Sequence, residues 1–182
     1  SAASDVYKRQ GKDASTIKQP QDRCFLLPLR GGTERKVFPM GLFSKLFGQK
    51  YDEICAPVSG QAVPVTEVPD PTFSSGMLGN GVAVIPSEGK ICAPCDGTVD
   101  MMFETGHAVS MVADCGAEVL VHVGLETVGL QGKGFTVHAQ NGQKVKKGDL
   151  LIEVDLDVLK EAGLNPITPV LICNSDDFSK FE

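Results

Sequence analysis

Tryptophan is absent from the 182-residue chain, and tyrosine, histidine and charge are scarce, with two tyrosines, three histidines and 22% charged residues. No apolar run approaches the roughly 20 residues that a membrane span requires, and the N-terminus shows no secretory signal pattern. We therefore expect a cytoplasmic protein. An apolar content of 42% is enough for a folded domain with its own core and excludes a disordered or fibrous chain.

Charge divides the chain near Met40. Residues 1–39 carry eight Lys or Arg and four Asp or Glu, whereas residues 40–182 carry nine and nineteen. Because an acidic domain repels phosphate backbones, this composition predicts that nucleic acid is not a partner.

The same division suggests the domain organisation. Residues 1–39 have no sustained apolar period and no helix-capping pattern, so we interpret them as a non-native translated leader or a disordered tail, with the native protein beginning at Met40. Residues 40–50 predict a short amphipathic extension that packs on the domain or makes a weak, reversible membrane contact. Residues 51–182 form the globular domain.

Cysteine occurs at six positions, and we expect reduced thiols because the domain is large enough to fold without disulfide bonds. Cys92 and Cys95 form a CxxC pair. The pair leads into an Asp-Gly turn and not into a helix N-terminus, so it predicts neither a redox centre nor a zinc site.

Twenty glycines and eleven prolines, spread among short Val, Ile and Leu runs, predict an all-β fold, an antiparallel sandwich or barrel with one or two short helices. The segment "ICAPVSGQAV" at 54–63 returns as "ICAPCDGTVD" at 91–100, which predicts two related hairpins. A helix is expected at 156–162, capped by Asp155 and ended by Gly163. Further strands are predicted at 82–85, 98–103, 108–113, 118–123, 135–138, 150–154 and near the C-terminus.

His122 interrupts the most strand-like run, "VLVHVG". Strand alternation puts Leu120, His122 and Gly124 on one face and the valines on the other. Pairing with the preceding strand brings His107 close to His122. Two facing imidazoles are typical of a phosphoryl-transfer pair or a metal half-site, because neutral imidazole is a good nucleophile and ligand. A buried histidine bonded to a backbone carbonyl is the structural alternative.

A zinc site would need a third ligand besides His107 and His122. His138 lies on a later predicted strand, and nothing in its spacing requires it to be that ligand. We therefore predict no cofactor and no obligatory metal, with His107 and His122 as a candidate zinc half-site.

Four segments resemble one known family: "APVSGQAVPVTEVPDPTFSSGMLGNGVAVIP", "APCDGTVDMMFETGHAVSM", "EVLVHVGLETVGLQGKGF" and "GQKVKKGDLLIEVDL". Together they are similar to the glucose-family enzyme IIA of the bacterial phosphoenolpyruvate-dependent sugar phosphotransferase system, and the resemblance covers residues 40–182. Its most specific parts are "ETGHA" and "VHVGLETV", whose histidines match the family's active-site pair in order and spacing.

The resemblance implies that His122 accepts a phosphoryl group from the phosphohistidine of the carrier protein HPr and passes it to a cysteine of an enzyme IIB domain for sugar uptake. It implies that His107 stabilises the phosphate, that Thr105 orients the pair and that Gly124 neighbours the phosphorylated residue. Regulatory proteins are further expected partners. The shallow partner-binding face is then expected to contain Phe73, Phe103, Leu120, Val123 and Glu126.

Three alternatives rest on other features. A lipoyl- or biotinyl-like carrier shares "GQKVKKGDLLIEVD", but it would need a lysine at a hairpin tip where this chain has Asp155 and Asp157. A lysostaphin-type zinc peptidase would need a histidine in place of Leu120. A regulatory binding domain would bind its partners without being phosphorylated.

Overall fold

The computed structural model describes residues 53–178 and two short strands further upstream. The extension predicted at 40–50 and most of the leader predicted at 1–39 lie outside the described residues. The strands are β1 (Thr16–Ile17), β2 (Cys24–Leu26), β3 (Glu53–Cys55), β4 (Gly60–Pro64), β5 (Asn80–Pro86), β6 (Lys90–Cys92), β7 (Gly97–Met102), β8 (Ala108–Ala113), β9 (Glu118–His122), β10 (Phe135–Val137), β11 (Lys144–Val145), β12 (Leu150–Val154) and β13 (Thr168–Ile172).

Two short α-helices, α1 (Pro71–Ser74) and α2 (Leu156–Glu161), complete the regular structure of the described residues, together with single 3-10 turns. The strands form a large sheet in the order β1-β4-β5-β13-β9-β8-β7-β11, a smaller one in the order β10-β12-β6, and the pair β2-β3. Neighbouring strands run antiparallel. The predicted all-β antiparallel architecture is confirmed. Within the described residues, no helix is long and apolar enough to cross a membrane.

The large sheet buries apolar side chains on both faces. Along β13, Val170 and Ile172 join the main core, which also contains the inward side chains of the smaller sheet, whereas Leu171 points to the opposite face. This alternation follows from the two-residue period of a strand. The opposite face carries a second apolar cluster of Val63, Val65, Val68, Phe73, Ala83, Leu125, Ile167 and Leu171.

The sequence repeat is present as two strand-turn-strand units, but its units are not hairpins. In each unit the first strand belongs to a small sheet and the second to the large sheet. The Ala-Pro turn carries the chain between sheets, since proline fixes the backbone and cannot donate a ladder hydrogen bond. The units bond reciprocally: Cys55 N–H donates to Pro94 O at 2.8 Å, and Cys92 N–H donates to Pro57 O at 2.7 Å.

Helix α2 begins and ends close to where the sequence predicts. The Asp155 carboxylate accepts hydrogen bonds from the backbone N–H groups of Asp157 and Val158, at 3.0 and 3.4 Å. Gly163 follows in the left-handed region with φ of 70°. The N-cap and the glycine stop are thus confirmed, and the helix ends one residue earlier than predicted.

The prediction that the cysteines are reduced thiols is wrong for Cys55. Cys55 is disulfide-bonded, and the pairing of β2 with β3 sets the backbone of Cys24 opposite it. Thiols are carried by Cys92, Cys95, Cys115 and Cys173.

Candidate active site

Two histidines meet at one end of the β8-β9 hairpin. Ala108 lies opposite His122 in the strand register, and Val123 N–H donates to His107 O at 2.7 Å. The two imidazole centroids are 5.2 Å apart, and the ring planes are inclined at 75°. The predicted cross-strand neighbourhood of the two histidines is confirmed.

One hydrogen bond defines the tautomer of His122. Its Nδ1 lies 2.7 Å from Gly124 O. A carbonyl only accepts, so Nδ1 carries the proton, and Nε2 of the neutral ring keeps its lone pair. Among the residues that the structure describes, no hydrogen bond engages Nε2. His122 is therefore half-buried yet has a nucleophilic nitrogen available.

The turn after β9 holds the Gly124 carbonyl in place. Gly124 has φ of 76°, and a Cβ there would lie 2.6 Å from Cγ2 of Thr127. Thr127 is fully buried, and its hydroxyl donates to Val123 O at 2.7 Å. Leu125 N–H donates to Asn165 O at 2.8 Å. Thr127 and Asn165 were not predicted, since their roles depend on contacts that no local pattern announces.

His107 is oriented by Thr105, whose Oγ1 is hydrogen-bonded to His107 Nδ1. When the hydroxyl donates, the ring proton lies on Nε2, and His107 becomes a donor for an anion. The side chain is 8% exposed. Phe103 packs edge-on against it with ring centroids 5.1 Å apart. Thr105, Phe103 and both histidines thus form one contact chain.

Burial keeps both imidazoles neutral. Loss of hydration lowers the pKa of His107. Loss of hydration is also the largest cause that lowers the pKa of His122, with the proximity of His107 adding to it. The bond to Gly124 O and the Asp70 carboxylate oppose this shift without cancelling it. The neutral, nucleophilic form therefore persists below the ordinary histidine pKa.

An aromatic ring supports His122 from the second apolar cluster. Phe73 lies on α1, and its ring centroid is 5.0 Å from that of His122. The Asp70 carboxylate caps this helix by accepting from Thr72 N–H at 2.8 Å. At 5% exposure, Phe73 mainly fixes the imidazole and offers little surface to a partner.

Like Phe73, the predicted partner-binding residue Val123 is buried and offers little surface to a partner. Its side chain is 1% exposed and belongs to the main core, because strand alternation turns it away from the His122 face. Leu120 and Phe103 are half-buried, and Glu126 is exposed at a left-handed position with φ of 59°. Met77 and Val128 are also exposed, and the sequence did not predict them as partner-binding residues.

His138 lies away from the histidine pair. Its Nε2 is 2.7 Å from the Glu153 carboxylate, on the smaller sheet. Among the described residues, no three His, Cys, Asp or Glu side chains are grouped so as to hold a metal ion. The structure therefore does not supply His138 as a third ligand to His107 and His122.

A family model described as phosphoenolpyruvate-dependent sugar phosphotransferase system, EIIA 1, matches residues 52–178. The chain belongs to this EIIA family. EIIA domains carry a phosphoryl group on a histidine within the sugar phosphotransferase system, and this chain is such a carrier and phosphotransferase component. The comparisons give no support to the lipoyl- or biotinyl-like alternative.

A solved structure supports the assignment of this chain to the EIIA family. Glucose permease IIA from Mycoplasma capricolum is 36% identical, with a TM-score of 0.62 over 66% of this chain and 78% of that one. Csd3 from Helicobacter pylori is 17% identical over 66% of this chain and 33% of that one. Its TM-score is 0.34. As an EIIA, the chain works between a phosphoryl donor and a phosphoryl acceptor of the system.

Proposed function

We propose that Nε2 of His122 receives the phosphoryl group from phosphorylated HPr and passes it to a cysteine of an enzyme IIB domain. The observation that carries the proposal is the bond from His122 Nδ1–H to Gly124 O, which fixes the tautomer with its lone pair on Nε2. That lone pair forms the new P–N bond as the P–N bond of the donor breaks. In the second transfer the thiolate of the acceptor forms a P–S bond while the His122 P–N bond breaks.

His107 serves the phosphoryl group as a hydrogen-bond donor. When the Thr105 hydroxyl donates to Nδ1, the ring proton of His107 lies on Nε2, and the ring centroid lies 5.2 Å from that of His122. A donor placed beside the acceptor nitrogen stabilises the charge on the phosphoryl oxygens during both transfers. Burial of the pair beside two phenylalanine rings limits the access of water, which would otherwise hydrolyse the phosphohistidine.

The docking face is assigned to the surface around His122, with Phe103, Leu120 and Glu126 as partner contacts. Phe103 packs against His107, Leu120 lies two residues before His122 on the same strand, and Glu126 lies in the turn that follows. All three side chains are half-buried or exposed, so a partner can approach without deep penetration. Since HPr and enzyme IIB act on the cytoplasmic side, we assign the chain to the cytoplasm. Regulatory proteins would use the same face.

The test is phosphoryl transfer from phosphorylated HPr to purified His122→Ala, with His138→Ala as the matched control. We expect labelling to be abolished in the first variant and retained in the second, because His138 lies on the other sheet. Site mapping of the labelled wild-type protein should recover the phosphoryl group on His122. Labelling of His122→Ala at the wild-type rate would refute the assignment.

A further inference from the structure

A second pair of reactive side chains lies at the opposite end of the β7-β8 sheet segment. Gly97 is paired with Ala113, and Asp114 N–H donates to Asp96 O at 3.0 Å. Cys95 directly precedes Asp96, and Cys115 directly follows Asp114 in the turn between β8 and β9, so the two cysteines are neighbours of one bonded residue pair. Disulfides need Cα separations below about 7 Å, which the neighbours of a bonded pair can reach.

Burial and cavity geometry support the same juxtaposition. Cys95 is 5% exposed in the main core, and half-buried Cys115 packs against that core. Both line one cavity of about 240 Å³, which Asp96, Asp114 and Lys147 also line. Burial, followed by negative charge on Cys115, raises the pKa of Cys95 to about 12.

We propose that Cys95 and Cys115 are a redox modification site, which a low-molecular-weight disulfide oxidises to an intramolecular disulfide. The more exposed Cys115 thiolate attacks one sulfur of the oxidant, whose S–S bond breaks and releases one thiol. The Cys95 thiolate then attacks the Cys115 sulfur and releases the second thiol. Two electrons and two protons pass from the cysteines to the oxidant.

The surroundings determine which oxidant reacts faster. Asp96, Asp114 and Glu53 line the cavity, and Lys147 is within 3.5 Å of Glu53, so acidic groups predominate. A cationic disulfide such as cystamine should therefore react faster than anionic oxidised glutathione, and added salt should narrow the difference. Since the Cys95 thiolate is scarce at neutral pH, its attack should accelerate about tenfold per pH unit from pH 7 to pH 9.

The site is independent of the histidine pair. The six residues of β8 separate the two, a span of about 20 Å at the usual rise per residue. Oxidation should therefore leave labelling by phosphorylated HPr within about twofold of the reduced protein. It should also raise the unfolding midpoint, because the bond closes a loop between two positions of the chain.

The experiment treats the full chain with cystamine or oxidised glutathione and alkylates the remaining thiols. Cleavage before aspartate separates Cys95 from Cys115, so mass spectrometry of unreduced peptides identifies their cross-link. We expect the cross-link in wild type and in the matched control Cys92→Ser. We expect it to be lost in Cys115→Ser, together with the rise in unfolding midpoint.

Two results would overturn the proposal. One is the absence of the cross-link while Cys92 or Cys173 acquires a mixed disulfide under the same conditions. The other is a mixed disulfide at Cys115 that persists at pH 9 without resolution by Cys95. Neither result bears on His122, whose labelling is measured on the same samples, so failure here and failure of the proposed carrier function are distinguishable.

Discussion

His122 and His107 both carry an imidazole, but their Nδ1 atoms have different hydrogen-bond partners. His122 donates through Nδ1 to a backbone carbonyl, while His107 is bonded at Nδ1 to a threonine hydroxyl that can donate. The His122 ring therefore exposes a lone pair at Nε2, and the His107 ring offers a proton there when the threonine hydroxyl donates. We propose that this difference of one hydrogen-bond partner separates the phosphoryl-accepting histidine from the phosphate-stabilising one.

At this scale we predict that His107→Gln is still labelled by phosphorylated HPr but passes the phosphoryl group to enzyme IIB about 100-fold more slowly. The glutamine amide can donate, but it lacks the fixed position that Thr105 gives the imidazole. Single-turnover rates for acceptance and for donation separate the two effects. His138→Gln is the control and should leave both rates unchanged, and wild-type donation by His107→Gln would remove the proposed role.

The element that matters most is the turn after β9. Its geometry depends on Gly124, on the buried hydroxyl of Thr127 and on the Asn165 carbonyl. Because the turn holds the carbonyl that fixes the His122 tautomer, its conformation is coupled to the chemistry.

We therefore predict that Gly124→Ala lowers both stability and labelling. The added Cβ would meet Thr127 and strain a backbone with φ of 76°, at a cost of about 2–4 kcal/mol. Gly116→Ala is the matched control: its φ is 91°, but nothing lies within 4 Å of the added Cβ. Gly116→Ala should lower the free energy of unfolding by about 1 kcal/mol, because only the strain of a left-handed backbone at alanine contributes.

Denaturant unfolding measures the stability of Gly124→Ala and Gly116→Ala. The rate of labelling at a saturating concentration of phosphorylated HPr measures their activity. Equal destabilisation by the two substitutions would mean that the contact with Thr127 is relieved at little cost. Normal labelling of folded Gly124→Ala would mean that the carbonyl is not needed to orient His122.

For the molecule as a whole, the two buried imidazoles make folding depend on pH. Burial lowers the pKa of both in the native state, so the unfolded chain, whose histidines titrate near 6.5, binds more protons in that range. Stability from this source is present above pH 6.5 and is lost as the pH falls through the native pKa values.

We accordingly predict that the free energy of unfolding decreases from pH 7 towards pH 5, and that His107→Gln/His122→Gln shows a smaller decrease. NMR titration of the two imidazoles should give midpoints below those of the urea-unfolded chain. Midpoints at or above the unfolded values would contradict the burial argument, whatever the stability profile.

Much of the fold followed from local patterns. The glycine and proline content predicted the all-β class. The strands at 108–113 and 150–154 and the Asp155 cap were predicted from residues close together in the chain, and each is present in the structure. The prediction that His107 lies close to His122 is equally local, since only one turn separates the two strands.

Contacts between distant segments were decided by the tertiary structure. The repeat predicted hairpins, yet the first strand of each unit joins a small sheet, β3 with β2 and β6 with β12, while the second joins the large sheet. Val123 was assigned to the partner-binding face but is in the core, and Thr127 and Asn165 gained roles from packing alone. The sequence by itself determined the all-β class and the proximity of the two histidines, since strand propensity, alternation and one short turn encode them. The tautomer, burial and charge state of those histidines required the assembled sheets, because desolvation and long-range hydrogen bonds exist only there.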